Sequence, residues 1–521
     1  MPISQLGAIN TTALLVPDVY VQIVPPQAVF LNGVPSNIMG VVGTATWGKK
    51  NSQVTIANMA DYSREFGPIV ARKFDLGTLT AAAVLQGAND FRAVRVTDGT
   101  DAAATIVLTD DATLTQITYT AVCTGSLGNQ IKVTHAAGSN STNSAPTFKV
   151  SVSLPGRVTE TFDNIGGVDE AVWANIAKAI NLGQSGLRGP SEIITAVVPT
   201  SNASDVAPTL GLISTLASGT DGADGADAQD LLGADSSTRT GLYALRGSKA
   251  SVIALADCDD TTTWSNQVAY GLNEGSYMIL TGPAGQSISA AISAKSTAGI
   301  DTPWAKLMLG DWVYFNDTVN GQQRLISPQG YALGRLGNLA PQESSLNKPI
   351  FGLIGTQRSA ANQSYSSAEL QQLIAAGIEV ICNPAPGGTY FACRSGHNTS
   401  SNPVTNGDVY TRMTNYIAAT INAGMGLFIG KIHTPAQQRE AKATLDNFFS
   451  NMEQQGQIGT TDGTPAFETI LAPANNPRSR VALGYMQADC KVVYFGIIEK
   501  LLINVEGGAS VQITRQDVTF A

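Results

Sequence analysis

Beyond residue 246 the hydrophobic pattern switches period repeatedly, and this switching constrains the fold more than any single motif. "ASVIALAD" reads as a buried strand, residues near 262–274 as a helix, "SYMILTG" as a strand, residues near 286–298 as a helix, and "DWVYFND" as a strand. Strand and helix periods in alternation describe an α/β layer with a largely parallel sheet. Ser366 and Glu369 are spaced for a capping box on a helix bearing Leu370, Leu373 and Ile374; Gly377 ends it, and "IEVICNP" is the next expected strand. Two longer helices complete the pattern. One spans about 409–423 and aligns Met413, Ile417 and Ile421. The other starts at Thr434-Pro435, with Gln437 placed for a capping box, aligns Ala441, Leu445, Phe448 and Met452, and stops at Gly456.

Residues 100–200 have a different texture. "ATIVLT", "TQITYTAV", "NQIKVTH", "TFKVSVS" and "VTETF" are short alternating strands separated by polar turns. One amphipathic helix, "DEAVWANIAKAINLG", aligns Val172, Ile176 and Ile180 before "EIITAVV" resumes the strand pattern. A β-sandwich-type module inserted at about 99–217 is therefore expected. Asp221, Asp224 and Asp227 follow in "ASGTDGADGADAQD". A calcium loop needs alternate-residue ligands and a closing glutamate, so a turn leading into a helix is the better reading.

The termini are extended. "PDVYVQIV" puts Val19, Val21 and Ile23 on one face and Tyr20, Gln22 and Val24 on the other, and Pro25-Pro26 stops it. "KLLINVEGGASVQITRQDVTF" gives one strand near 500–506, a Gly507-Gly508 turn and a second strand near 510–515. Strands set apart from a compact region either close the chain's own sheet or pair with another chain.

At 521 residues the length suits about three domains. Only 14% of residues are charged while 43% are hydrophobic, which describes a folded chain with much of its surface in subunit contacts. A net charge of −9, without a basic stripe, argues against a nucleic-acid partner. The opening "MPISQLGAIN" has neither a basic nor an apolar signal region, and no apolar run approaches the roughly 18 residues of a membrane span. Five cysteines without regular spacing suggest reduced thiols.

Catalytic chemistry finds little support. In "GVVGTATWGKK" Gly43, Gly48 and Lys49 nearly match a phosphate-binding loop, but Lys50 stands where Mg²⁺ chemistry needs Ser or Thr, and "NSQVTIANM" continues as a strand. His135, His397 and His433 lie in separate segments. Cys382, Cys393 and His397 have no common zinc spacing, so the two cysteines are expected as small hydrophobes in strands. Asp257, Asp259 and Asp260 end a predicted sheet strand, where α/β proteins often hold ligands, without a visible partner base. No catalytic, cofactor-binding or metal-binding residue is expected.

Taken in order, these segments resemble the contractile bacteriophage tail sheath family, and are most similar to its Mu-like type. "VPDVYVQIVPP" resembles the family's opening strand, with Asp18 in place of the usual glycine. "MGVVGTATWGKK" is similar to its strand-turn, with Lys49-Lys50 where Gly-Pro is usual, and "VTIANMADYSREFGP" follows as in the family. "SLGNQIKVT" and "FKVSVSLPGRVTETFDNI" resemble a sandwich insertion, "ASGTDG" the return to the core, and "LIAAGIEVICNPAPGGTYFACRS" the segment before the last helices. The resemblance covers roughly residues 15–515.

It implies an α+β and α/β multidomain chain. An arm at 1–30 precedes core segments at 31–98 and 218–498, the insertion lies at 99–217, and a second arm spans 499–521. It further implies a non-enzymatic homo-oligomer without cofactors: hexameric rings stacked around a tail tube, with baseplate and tail terminator proteins as further partners. Such a sheath is assembled in the host bacterial cytoplasm and carried in the virion tail, with no nucleic-acid partner and no direct membrane insertion. Strand pairing between subunits would use Val19, Tyr20, Val21, Ile23, Leu502, Ile503, Val505, Val511 and Ile513. Arg439 and Lys442, two bases on the outer side of the last long helix, are candidates for facing the tube.

Overall fold

The computed structural model describes residues 31–111, 114–168, 170–184, 186, 188–200 and 206–507, and the backbone of two short strands nearer the N-terminus. Those strands, β1 (Ser4–Leu6) and β2 (Val21–Ile23), pair in parallel as a ladder separate from the other sheets. Val19, Tyr20 and Val24 lie outside the described residues.

The body is built on β3 (Met39–Gly43), β4 (Gln53–Ile56), α1 (Met59–Phe66), α2 (Leu76–Val84) and β5 (Phe91–Arg95). The chain then leaves for an insertion containing β6 (Thr105–Thr109), β7 (Thr115–Ala121), β8 (Lys132–Ala137), β9 (Phe148–Ser153), β10 (Glu160–Ile165), α3 (Glu170–Leu182), β11 (Ile194–Val197) and β12 (Ile213–Thr215). It returns through α4 (Ala228–Leu232) to β13 (Val252–Leu255), α5 (Trp264–Glu274), β14 (Tyr277–Thr281), α6 (Ile288–Thr297) and β15 (Ala305–Met308). These strands form one six-stranded sheet in the order β15-β14-β13-β3-β5-β4, parallel except for β4.

Alternation along the strands divides the core into two layers. Met39, Val41, Val252, Ala254, Tyr277 and Ile279 face α1, α2 and a later helix, α7 (Gln329–Asn338). Val42, Ile253, Leu255, Met278 and Leu280 face α4, α5, α6 and α9 (Ser367–Ala375). Helices on both faces of a sheet require both faces to be apolar, which is why these strands read as continuous hydrophobic runs.

"DWVYFND" is a strand, but in another sheet. As β16 (Val313–Asp317) it pairs antiparallel with β17 (Gln322–Ile326) and β18 (Leu353–Thr356), the latter leading into the short α8 (Gln357–Ala360). The third parallel strand of that run is instead β15, "AKLM", whose apolar pattern is broken by Lys306. "IEVICNP" shortens to β19 (Ile381–Cys382), paired with β20 (Ala392–Cys393). The predicted capping box at Ser366 and Glu369 is present.

The C-terminal lobe packs α10 (Asp408–Met425) against α11 (Pro435–Gln454) and a hairpin of β21 (Phe467–Ile470) and β22 (Asp489–Val492), with the short α12 (Arg478–Val481) between the strands. Met413, Ile417, Ala441, Leu445, Phe448 and Met452 are buried, and Ile421 is packed beside them. Thr434 caps α11 by accepting from the Gln437 N–H, whereas the Gln437 side-chain oxygen has no protein partner, so only half of the expected box forms.

In the insertion, sheets β10-β9-β8-β12 and β11-β7-β6 enclose one core with α3, where Val172, Ile176 and Ile180 are buried. All their pairings are antiparallel. His135 sits inside, 2.9 Å from the Tyr119 hydroxyl and edge-on to Trp173, and burial pushes its imidazole down to about 4. An unfolded histidine titrates near 6.5, so between those values the unfolded chain binds a proton that the folded module excludes. His135 should therefore lower stability as pH drops from 6.5 to 4, by up to about 3 kcal/mol. Buried Asp75, whose carboxyl is pushed up to about 6 by desolvation, acts in the opposite sense below that pH. Comparing urea unfolding of the parent protein and His135→Gln at both ends of the window isolates the histidine, and an identical pH dependence in the two would contradict a buried neutral imidazole.

Candidate assembly surfaces and buried ionic sites

The near-match to a phosphate loop is a packing feature. A Cβ at Gly43 would lie 2.8 Å from the Phe74 carbonyl oxygen, and Gly48 has φ +105 with the Glu65 carbonyl 2.6 Å from where its Cβ would be. The next element is β4, not a helix. The helix end that does adjoin β3 belongs to α2, and Asp75 already caps it, accepting from Thr78 N at 2.7 Å and Thr78 Oγ1 at 2.6 Å. A phosphate there would meet a carboxylate rather than open amides.

The sheet reverses its strand order between β3 and β13, where α/β folds commonly bind ligands. Here protein groups fill the crevice. Asp257 accepts from Ser327 N at 2.9 Å, Asp259 pairs with Lys73 at 2.8 Å, and Asp260 caps the following turn. Arg324 pairs with Asp317 at 2.7 Å and donates to Thr78 Oγ1. Asp221 binds Arg72 at 3.0 Å, and Asp227 caps α4.

The histidines and cysteines stay dispersed. His397 Nε2 lies 2.8 Å from Glu499 Oε1, and His433 lies against Gln438. Cys382 and Cys393 are buried in the paired β19 and β20. Among the described residues, no cluster of His, Cys, Asp and Glu could hold a metal ion, and no helix is long and apolar enough to cross a membrane.

The terminal regions leave from one lobe: Leu31 and Val492 belong to the same apolar cluster as α10 and α11. Past β22 the chain forms no ladder with any described residue up to residue 507, so the strand expected near 500–506 has no partner among the described residues. Leu502, Ile503 and Val505 are 84%, 68% and 86% exposed. Val511 and Ile513 lie outside the described residues. The β21–β22 hairpin is a two-stranded sheet with no third strand among the described residues. On α11, Arg439 is exposed, while Lys442 is half-buried and pairs with Asp446 at 2.6 Å.

Three buried cations escaped the sequence reading. Lys306 on β15 contacts Glu379 at 2.8 Å and Asp408 at 3.2 Å, and all three side chains are wholly buried. Burial alone would lower the Lys306 ammonium, but Asp408 and Glu379 hold it above its usual range. Arg95 donates to the carbonyls of Ala45, Gly48, Thr124 and Asp221, joining body to insertion. Arg412 donates to Leu336, Leu339, Ala340 and Glu343 carbonyls, satisfying the end of α7 from α10. Lys306 and Arg95 interrupt apolar runs, "WAKLML" and "FRAVRV", which was the available signal, whereas Arg412 in "VYTRMTN" interrupts none.

No protein-family model and no curated sequence matches the chain. Solved structures do. The sheath tail protein from Desulfitobacterium hafniense aligns at TM-score 0.56 and 16% identity, covering 87% of this chain and 93% of its own. The sheath tail protein from Listeria innocua gives 0.59 and 13%, covering 85% and 90%. The PVC sheath complex of an extracellular contractile injection system, in its contracted state, gives 0.55 and 10%, covering 96% and 99%. The chain therefore has the fold of contractile sheath proteins over most of its length.

Proposed function

We propose that this chain is the structural subunit of a contractile phage tail sheath, of the Mu-like type that its ordered motifs resemble. Subunits stack as hexameric rings around an inner tube, exchange terminal strands, and contract to drive the tube through a host envelope. Energy stored at assembly takes the place of nucleotide hydrolysis, in keeping with an α2 terminus already occupied by Asp75. The observation that carries the reading is the run from Leu501 to Val505, an apolar strand-like sequence held in solvent by a folded body. No described residue covers this run, pairing with another chain would bury it, and the open β21–β22 hairpin, in the lobe from which both arms leave, is the acceptor we favour.

Electron microscopy of the purified protein tests this: tubes or striated sheaths support it, whereas discrete particles in all assembly conditions argue for another class, such as an α/β enzyme. A second reading, the sheath of a related injection machine such as a type VI secretion system or a bacteriocin, is favoured by one observation. The PVC and anti-feeding prophage contracted sheaths align with 96% and 94% of this chain.

Arg439 and Lys442 are proposed as tube contacts. Reversing both charges should weaken co-assembly with the tube protein, and added salt should weaken the parent similarly. Unchanged co-assembly would remove them from that surface.

A further inference from the structure

Lys306, Glu379 and Asp408 come from three distant parts of the chain and meet without solvent. Lys306 Nζ is 2.8 Å from Glu379 Oε2 and 3.2 Å from each carboxylate oxygen of Asp408. The Tyr277 hydroxyl donates to Asp408 Oδ1 at 2.6 Å, and the Ser345 hydroxyl donates to Oδ2. Glu379 is fixed by backbone N–H groups of Val380, Arg394, Ser395 and Gly396. A plain buried ion pair needs one carboxylate. This arrangement sets an amine against a carboxyl group, holds a second acid on the amine, and aims two hydroxyl donors at the carboxyl oxygens.

From this geometry we infer that Lys306 and Asp408 condense into an intramolecular isopeptide bond, with Glu379 carrying protons. The ammonium first gives one proton to the Asp408 carboxylate, leaving a neutral amine and a neutral acid. Nζ then attacks Cγ; the hydroxyl on the oxygen that keeps the negative charge, Tyr277 at Oδ1, stabilises the tetrahedral intermediate, and Ser345 holds the departing Oδ2 hydroxyl. Glu379 takes a proton from the attacking nitrogen and delivers it to the departing hydroxyl, which leaves as water. One ammonium and one carboxylate become one amide and one water, Glu379 ends as it began, and no cofactor or oxidant is consumed. Fixed proximity favours the attack, and exclusion of solvent protects the amide once the released water escapes.

Position gives the bond a use. Lys306 lies on the outermost parallel strand of the core sheet, and Asp408 opens α10, the first helix of the lobe from which both terminal segments leave. An amide here ties the sheet to that lobe covalently, along the route by which tension on an arm reaches the core. This mechanical benefit rests on the sheath reading; the bond itself does not.

Intact mass spectrometry of the denatured full-length protein is the test. The expected mass is one water below the sequence mass, with a branched peptide joining Lys306 to Asp408 after digestion. Lys306→Arg and Asp408→Ala should each abolish the water loss, and Glu379→Gln should slow or prevent it. Full sequence mass in the parent chain, with separate linear peptides carrying Lys306 and Asp408, overturns the proposal. Because the decisive measurement is made on the parent chain, it does not depend on the variants folding. Tubes without the water loss would refute the bond alone, whereas water loss without tubes would refute the sheath alone.

Discussion

A chain lacking residues 1–24, or one ending at Tyr494, should stay a folded, soluble monomer and form no tubes. The described body closes its cores without those residues: the six-stranded sheet and the cluster around α10 and α11 are built from residues 31–494. The removed C-terminal segment carries Leu501, Leu502, Ile503 and Val505, all exposed. Each would contribute about 1.5–3 kcal/mol if fully buried against a neighbour. Ordering a flexible arm costs about 1–2 kcal/mol per residue, so one joint is weak and the lattice holds by repetition. Losing the joints should abolish polymerisation while shifting the thermal midpoint little. Val21→Pro should act similarly by removing a ladder donor, provided that its N–H faces the neighbouring strand. In the isolated chain Val21 is already opposite Ser4, so β2 has one edge paired, and no described strand occupies the other. Negative-stain microscopy and sedimentation would read the outcome, and normal sheaths from either truncated chain would show that strand exchange does not hold the lattice.

How much of this was legible in the sequence depended on where charges fall. Strands buried on both faces, such as Val252–Leu255 and Tyr277–Thr281, announce themselves as unbroken apolar runs. Caps at Ser366 and Thr434 were equally visible, because one side-chain oxygen meets one N–H at a fixed spacing. β15 was missed because Lys306 sits in its middle, and a lysine in an apolar run looks like an interruption until two carboxylates from residues 379 and 408 are seen to surround it. No local pattern encodes such a meeting. The same limit hid Arg95, whose partners span residues 45–221. The sheet to which β16 belongs was misread for a related reason: alternation predicts a strand but not its neighbour.

The joint that Arg95 makes leads to the second large expectation, that Arg95→Ala should cost about 3–5 kcal/mol, because it leaves several buried carbonyls without a donor. The guanidinium is wholly buried and reaches Ala45 O at 3.0 Å, Gly48 O at 2.6 Å, Thr124 O at 2.8 Å and Asp221 O at 2.9 Å. Truncation leaves these acceptors facing a cavity, and unmade buried hydrogen bonds cost about 1–3 kcal/mol each, reduced by any water that enters. Trp47 makes the same joint from the other direction: it belongs to the β3–β4 connection but is fully buried in the core of the insertion. The chain enters and leaves the insertion side by side, with Ala102 and Thr220 exchanging hydrogen bonds of 3.0 and 3.1 Å. A short Gly/Ser linker can therefore replace residues 99–217 without stretching the body. We propose that the insertion is peripheral and dispensable for polymerisation, with one condition set by the packing. Excision uncovers Trp47, so the shortened chain should aggregate as it stands, and should fold and assemble once Trp47→Gln is added. Arg95 keeps three of its four carbonyl partners in that chain and needs no change. Urea unfolding of Arg95→Ala, and microscopy of the shortened chain with and without Trp47→Gln, check both statements. A loss below about 1 kcal/mol for Arg95→Ala would mean that water replaces the guanidinium at little cost, and failure of the doubly altered core to fold would place the insertion within the folding unit.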